Sequence, residues 1–163
     1  MRSRKMDIEV RFAVEKDIPR IITLLEQVAE IHNNARPDLF RAGSKKYDKA
    51  DLCKLLRDKK TVIFVATDGN DTVLGYIFCM LNEYKNHNIM QDNRTLYIDD
   101  LCVDADKRGL NIGRVLFHHA REFAKTQGCY NITLNVWTGN DNARFFYEKL
   151  GMREQKRTLE LLL

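Results

Sequence analysis

The sequence lacks any apolar run long enough to cross a lipid bilayer. A membrane-spanning helix needs about 20 consecutive apolar residues, and charged side chains interrupt every stretch of that length in the 163-residue chain. The basic segment at residues 2–5 is followed by charged Asp7 and Glu9 instead of the apolar core of a signal peptide. These absences predict a protein that has no membrane segment and resides in the cytoplasm.

Local metal-binding and redox motifs are also missing. The cysteines at positions 53, 79, 102 and 129 form no C-x-x-C pair, which is the spacing typical of zinc and disulfide-exchange sites. The four histidines likewise show no metal-ligand spacing. We therefore expect ordinary free thiols in a reducing compartment and no bound metal.

Neither sign of charge is in large excess. The chain carries 27 basic and 23 acidic residues, a net charge of +4, whereas nucleic-acid binding needs a clustered basic face. We expect no nucleic-acid partner; a small basic nucleic-acid-binding domain is an alternative that rests on charge alone. The composition, with 44% hydrophobic and 31% charged residues and no repeat or linker, is typical of one folded domain over residues 1–163.

Hydrophobic periodicity predicts a mixture of strands and helices. Residues 8–12 alternate in polarity and predict a strand, and Asp17 can cap a helix that opens at Ile18. A turn over residues 68–71 joins two β-branched and aromatic stretches into a hairpin. The complete prediction is strands over 8–12, 61–67, 73–81, 95–103, 130–136 and 158–163, and helices over 18–34, 46–57, 112–127 and 140–150.

The most informative segment lies between the strand over 95–103 and the helix that follows it. A glycine-bearing turn from a strand into a helix directs backbone N–H groups and the positive end of the helix dipole toward one point, where anions bind. Gly109 and Gly113 allow close backbone approach, and Arg108 and Arg114 add positive charge. Alone this is weak evidence, because two glycines often serve only to pack a turn against a sheet.

Two common phosphate-binding motifs do not fit this turn. A P-loop requires Gly-Lys followed by serine or threonine, whereas Gly113 is followed by Arg114 and Val115. A dinucleotide-binding fold requires its glycines directly after the first strand of the unit. Here the turn follows the fourth predicted strand, so both motifs are rejected.

Two stretches together resemble the GNAT superfamily of N-acetyltransferases. Residues 101–113, LCVDADKRGLNIG, resemble its pyrophosphate-binding motif Q/R-x-x-G-x-G/A, and residues 140–152, NDNARFFYEKLGM, resemble its A-x-x-F-Y-x-x-x-G-F helix. The order of strands and helices agrees along nearly the whole chain. The resemblance implies an α/β (α+β) fold with a central mixed, mostly antiparallel sheet of about six to seven strands, flanked by about four helices.

By this resemblance the chain binds acetyl-CoA as a cosubstrate. The turn would hold the pyrophosphate, and backbone groups of the preceding strand would bind the pantetheine arm, where the family splays two strands apart. Asn111 stands where the family has its middle glycine, and asparagine tolerates a positive φ better than most residues. The expected coenzyme-binding residues are Leu101, Cys102, Val103, Arg108, Gly109, Leu110, Asn111, Ile112, Gly113, Arg114, Asn140, Asn142 and Tyr147.

The resemblance also implies direct attack of a neutral amine on the acetyl thioester, assisted by a base and an acid. Strand alternation places Asp99 and Asp100 on opposite faces, so only one of them is expected to face the substrate. Residues 97–103, YIDDLCV, resemble the Y-L-E-D-x-x-V segment of diamine acetyltransferases, in which Asp99 takes the position of the proposed base. A structural carboxylate paired with a lysine or arginine is the other interpretation of Asp99. Tyr147 would protonate the departing thiolate.

The sequence is compatible with several classes of acceptor amine. Loops over about 32–47 and 82–94 would choose it, and their mixed charge is compatible with a polyamine, an aminoglycoside, a free amino acid, or a protein lysine or N-terminus. An alternative function is that of a coenzyme-binding sensor or interaction module without turnover. The apolar chain end suggests a homodimer formed at an exposed sheet edge, through Leu159, Leu161, Leu162 and Leu163.

Overall fold

The structure is a computed structural model that describes residues 7–163, and these residues form one five-stranded sheet and four α-helices. Neighbouring strands in the sheet follow chain order, and β5 alone is parallel to its neighbour. The basic segment at residues 2–5 lies outside the described residues. The elements are β1 (Glu9–Phe12), α1 (Ile18–Ala35), α2 (Lys49–Leu55), β2 (Thr61–Thr67), β3 (Val73–Tyr84), β4 (Asn93–Val103), α3 (Ile112–Thr126), β5 (Asn131–Leu134) and α4 (Asp141–Lys149).

Helices pack on both faces of the sheet. On one face Leu116 of α3 packs in a cluster with Phe64 of β2 and Ile77 of β3. On the other face Ile21 of α1 packs in a second cluster with Tyr76 of β3. All five side chains are at most 1% exposed, and burying a large apolar side chain contributes about 1.5–3 kcal/mol. The two clusters therefore hold the central strands β3 and β4 in place between two helical layers.

The predicted fold class is confirmed, with a smaller sheet than expected. The sheet is mixed and mostly antiparallel, but it has five strands instead of six or seven. The closing strand predicted over residues 158–163 is wrong, because that segment has no strand pairing. Its leucines are solvent-exposed, and Glu160 instead forms an ion pair with Arg36 at 2.6 Å. Alternating apolar residues at the end of a chain form a strand only where a sheet edge accepts their backbone.

The second helix is shorter than its predicted span of 46–57. Asp48 caps it, because the Asp48 carboxylate accepts a hydrogen bond from the backbone N–H of Asp51 at 2.8 Å. The helix therefore begins at Lys49. Lys46 and Tyr47 consequently lie in the preceding loop, where their side chains are free to reach β4.

The start of α1 agrees with the prediction in position but differs in its hydrogen bonds. Asp17 occupies the N-cap position, yet its carboxylate makes no bond to the first turn of the helix. It accepts hydrogen bonds from Arg11 at 2.7 Å and from the backbone N–H of Val14 at 2.8 Å. Asp17 therefore ties β1 to the entry of the helix.

No helix within residues 7–163 is both long and apolar enough to cross a membrane. Over the same described range, no group of three or more histidine, cysteine or acidic side chains is arranged to hold a metal ion.

Candidate active site

A gap opens between β4 and β5. The two strands pair only from Thr95 to Ile98, because β5 ends at Leu134 while β4 continues to Val103. The backbone N–H of Asp104 donates to Leu74 of the β3 side at 2.9 Å. Since N–H and C=O directions alternate along an antiparallel ladder, the backbone groups of residues 101 and 103 point away from β3. Leu101 and Val103 therefore present N–H donors to the gap.

The turn after β4 leads into α3 with the geometry of an anion site. Gly109 has a φ of 80° and Asn111 a φ of 68°, a positive value that asparagine tolerates better than most residues. The Asn111 side chain makes no capping hydrogen bond. The first four N–H groups of a helix have no partner within it, and Gly113 in the first turn of α3 lies beside Val103 of β4. The start of α3 therefore offers unpaired donors next to the gap.

Two arginines flank this helix start. Arg108 and Arg114 are exposed, and neither forms an ion pair with any of residues 7–163. Free guanidinium groups next to unpaired N–H donors favour a polyanion such as a pyrophosphate. Leu110 is 43% exposed, whereas Ile112 is buried and anchors the helix in the core.

Gly113 has a different role from Gly109. It lies inside α3 and is buried, and a Cβ atom there would approach Cζ of Phe146 to 3.2 Å and Cγ2 of Val103 to 3.6 Å. The glycine thus lets α3 pack closely on α4 and β4. Gly109, by contrast, has open space around it and is required by its positive φ.

A buried polar cluster anchors the turn to α1. Asp104 is 8% exposed and accepts hydrogen bonds from Asp106 N–H at 3.2 Å and from the Arg20 guanidinium. Gln27 accepts a hydrogen bond from the backbone N–H of Ala105 at 3.1 Å. These contacts fix where the turn begins. No local sequence pattern predicts them, because they join α1 to residues 104 and 105.

Helix α4 packs Tyr147 against the same core cluster as Leu101 and Val103 of β4. Asn140 caps this helix by accepting a hydrogen bond from Ala143 N–H at 3.2 Å, whereas Asn142 is exposed. The Tyr147 ring packs 5.0 Å from Phe146 and 6.2 Å from Phe117, and burial raises the pKa of its hydroxyl above the ordinary value. No hydrogen bond joins that hydroxyl to another of residues 7–163, and because no fully buried side-chain oxygen or nitrogen of these residues lacks a partner, the hydroxyl keeps some contact with solvent. It is therefore protonated at neutral pH and available to a ligand.

A β-bulge in β4 overturns the predicted arrangement of the two aspartates. Phe78 pairs with Asp100, but Cys79, the next residue of β3, pairs with Ile98. Asp99 is thus an extra residue in β4, and a bulge interrupts the alternation of side chains between faces. The prediction that Asp99 and Asp100 face opposite sides is wrong: both carboxylates bond to tyrosines of the layer formed by α1, α2 and the adjacent face of the sheet.

Asp99 is held by two side chains of the loop before α2. Its Oδ1 accepts from Lys46 Nζ at 2.8 Å and its Oδ2 from the Tyr47 hydroxyl at 2.7 Å. The Asp99 side chain is only 10% exposed. Burial, followed by the bond to Asp99, raises the pKa of Tyr47 above its ordinary value, so the hydroxyl stays protonated and donates.

Asp100 has the environment of a proton acceptor. Its Oδ2 accepts a hydrogen bond from the Tyr76 hydroxyl at 2.8 Å. Burial raises the pKa of Asp100 to about 6, since loss of solvation disfavours the charged carboxylate, and the Tyr76 bond and the Lys46 charge offset this only in part. A carboxyl group with a pKa near neutrality fits the requirements of a general base.

Sequence reasoning missed Lys46, Tyr47 and Tyr76 as parts of this site. Lys46 lies 53 positions from Asp99, and Tyr76 lies 24 positions from Asp100. No local pattern connects such distant residues. The only available signal was that residues 32–47 fall in a loop expected to choose the acceptor.

The comparison with known proteins agrees with this geometry. A model of the acetyltransferase (GNAT) family matches residues 25–152, which include the gap, the turn and α4. The chain belongs to the acetyltransferase (GNAT) family.

Two relatives match part of this GNAT chain, and each is named for an acetyltransferase activity. The glucosamine 6-phosphate N-acetyltransferase of Trypanosoma brucei brucei is 34% identical over 65 residues, 40% of this chain and 42% of that protein. The probable N-acetyltransferase san of Drosophila melanogaster is 36% identical over 83 residues, 50% of this chain and 42% of that protein. The GNAT chain thus matches about two fifths of the length of these relatives.

A solved structure resembles the GNAT chain along nearly its whole length. The crystal structure of a mutant of the BH1408 protein from Bacillus halodurans has a TM-score of 0.91 and 34% identity, and the match covers 95% of this chain and 99% of that one.

Proposed function

We propose that this protein is an acetyl-CoA-dependent N-acetyltransferase that transfers an acetyl group to a primary amine, within one domain over residues 1–163. The observation that carries the proposal is the gap beside β4, which presents the N–H groups of Leu101 and Val103 and continues into the free N-terminus of α3. A pantetheine arm needs such backbone partners, and a pyrophosphate needs such a helix start.

The coenzyme would lie along β4 and the turn. Leu101 and Val103 would bind the pantetheine arm through their backbone groups. The expectation that Cys102 does the same is wrong, because Cys102 pairs with Tyr76 and its backbone groups point toward β3. The pyrophosphate would lie at the start of α3, with Asn140 and Asn142 of α4 near the arm. The remaining contacts would come from the turn and helix start, at Arg108, Gly109, Leu110, Asn111, Ile112, Gly113 and Arg114.

The chemistry requires a neutral amine. An ammonium group with a pKa of about 10.4 costs about 4.6 kcal/mol to deprotonate at pH 7. Asp100 would accept this proton, because its pKa of about 6 makes it a stronger base than an ordinary aspartate. Asp99 lies beside it, but its carboxylate already accepts hydrogen bonds from two side chains, including one from Tyr47 that does not depend on Lys46, which supports Asp100 as the base.

The acyl transfer would then proceed in one direct step. The amine nitrogen forms a bond to the thioester carbonyl carbon, and the N–H groups of Leu101 and Val103 stabilise the negative charge on the oxygen. The carbon–sulfur bond breaks, and Tyr147 donates its proton to the departing thiolate. The amine nitrogen loses its second proton as it becomes an amide, and that proton restores the Tyr147 hydroxyl. The unbonded Tyr147 hydroxyl supports this role over that of a coenzyme sensor without turnover.

The acceptor is proposed only as a class, a primary amine on a small molecule or on a protein lysine or N-terminus. The relative from Trypanosoma brucei brucei is named for glucosamine 6-phosphate, so an amino sugar belongs in any test. The homodimer and the cytoplasmic location stay predictions.

A panel of amines incubated with acetyl-CoA tests the function through release of free thiol. The panel contains an amino sugar phosphate, an aminoglycoside, a polyamine, free amino acids and a lysine peptide. Thiol release with at least one amine is expected, and its absence with every amine, while coenzyme A binds, would support the sensor instead.

Replacing Tyr147 by phenylalanine tests the acid. We expect kcat to fall about 100-fold or more, while the KM for acetyl-CoA changes about twofold or less, because the ring packing is kept. Tyr130→Phe is the matched control, since Tyr130 is 83% exposed. An unchanged kcat in Tyr147→Phe would remove the acid role.

A further inference from the structure

The ammonium group of Lys46 lies in a set of contacts that would bind any primary ammonium. Its Nζ is 2.8 Å from Oδ1 of Asp99 and 3.4 Å from the Asp99 backbone oxygen. It also lies 5.6 Å from the centroid of the Tyr47 ring. A carboxylate, a carbonyl and an aromatic face are the three groups that bind organic ammonium ions. We call Asp99 and Tyr47 together the ammonium seat.

The ammonium seat does not depend on Lys46 for its shape. The Tyr47 hydroxyl donates to Oδ2 of Asp99 at 2.7 Å, and the Tyr47 ring stacks on Phe78 at 5.6 Å. Phe78 is fully buried in the core. The seat would therefore persist if the lysine moved away.

Lys46 is the more exposed partner of the Lys46–Asp99 ion pair. Its side chain is 44% exposed, against 10% for Asp99, and it projects from a loop rather than from a helix. An ion pair with one solvent-exposed partner, such as Lys46, contributes only about 0–1 kcal/mol. An external cation can therefore displace Lys46 at modest cost.

The seat also has the correct position for the reaction. Asp99 is the bulge residue of β4, directly before Asp100. It precedes by two positions Leu101, whose backbone faces the gap. An ammonium group at the seat would lie beside the proposed base and next to the strand that would hold the acetyl group.

We infer that the ammonium seat formed by Asp99 and Tyr47 is the binding site for the ammonium group of the acceptor, and that Lys46 fills it as a tethered competitor. This inference rests on the proposed function and narrows it. The acceptor is a cationic primary amine without an acidic group next to its nitrogen, because two carboxylates at positions 99 and 100 would repel one. Free α-amino acids are therefore poor acceptors.

The test measures binding of n-butylamine by NMR titration at pH 7.5, with and without coenzyme A. Removing the competitor in Lys46→Met should tighten n-butylamine binding about three- to tenfold, because the seat becomes empty and its carboxylate unpaired. A lysine that instead binds or orients the acceptor would give the opposite sign, a weaker complex.

Two matched variants separate competition from a general charge effect. Lys46→Arg keeps a cation within reach of Asp99 and should show no gain. Lys45→Met removes the same charge one residue away, from a side chain that pairs with Glu26 at 3.9 Å, and should change binding less than about twofold since surface charges are screened.

Equal or weaker n-butylamine binding in Lys46→Met overturns the inference, and so does an equal gain in Lys45→Met. The titration involves no acetyl transfer, so its result does not depend on whether the protein is an acetyltransferase. Turnover in the amine panel without a gain in Lys46→Met refutes the seat alone. A gain in Lys46→Met without turnover for any amine refutes the acetyltransferase function and leaves an amine-binding site.

Discussion

Replacing Asp100 by asparagine should stabilise the folded protein at alkaline pH while removing the proposed base. Burial raises the pKa of the Asp100 carboxyl from 3.8 to about 6, so the folded state holds the charged form at a cost. Asparagine has nearly the same shape, carries no charge, and still offers an oxygen to the Tyr76 hydroxyl. The variant therefore avoids the cost of a buried charge.

The size of the effect follows from the difference between folded and unfolded pKa. A difference of about 2.2 corresponds to about 3 kcal/mol in the free energy of unfolding, at about 1.36 kcal/mol for each pKa unit. The sign depends on pH. Because the folded pKa is the higher one, the penalty grows as the pH rises from about 4 to about 6 and is constant above.

Urea denaturation at several pH values measures this gain. We expect Asp100→Asn to raise the free energy of unfolding by up to about 3 kcal/mol at pH 8, about 1.5 kcal/mol at pH 5, and about 0.5 kcal/mol at pH 4. Amine acetylation by the same variant should be almost absent. Stability would thus be gained where activity is lost.

Asp99→Asn is the control. Asp99 bonds to Lys46 and Tyr47, so its replacement weakens favourable contacts and should give no stability gain at pH 8. The reasoning is refuted if Asp100→Asn destabilises the protein, or if its gain is the same at pH 4 and pH 8. Either result would mean that the Asp100 carboxylate is adequately solvated or paired in the folded state.

The remaining predictions concern the pH profile and the coenzyme turn. A plot of kcat/KM against pH should fall below about pH 6, because the proposed base Asp100 is then protonated; a profile that is flat down to pH 4.5 would contradict this. Asn111→Val should weaken coenzyme A binding in calorimetry about tenfold, since a β-branched residue at a φ of 68° costs about 1–2 kcal/mol. Asn111→Gly should bind coenzyme A as the natural chain does, and equal affinity in all three would exclude a need for positive φ.

Local sequence signals were sufficient for most of the element order and for the coenzyme turn. The hairpin at residues 68–71, the helix after Gly109 and the helix that begins near Asn140 each depend on residues a few positions apart. Hydrophobic periodicity and turn chemistry operate over that distance, so they can be identified without a structure. The positive φ of Asn111 was predictable for the same reason.

Tertiary structure alone decided the chemistry around the two aspartates. The alternation rule assumes an uninterrupted strand, and the bulge at Asp99 arises from pairing with β3, which no local pattern shows. The bulge brings Asp99 and Asp100 to one face, where Lys46 and Tyr76 arrive from 53 and 24 positions away. Long-range packing determines which carboxylate is paired and which is buried, and therefore which of them can act as the base.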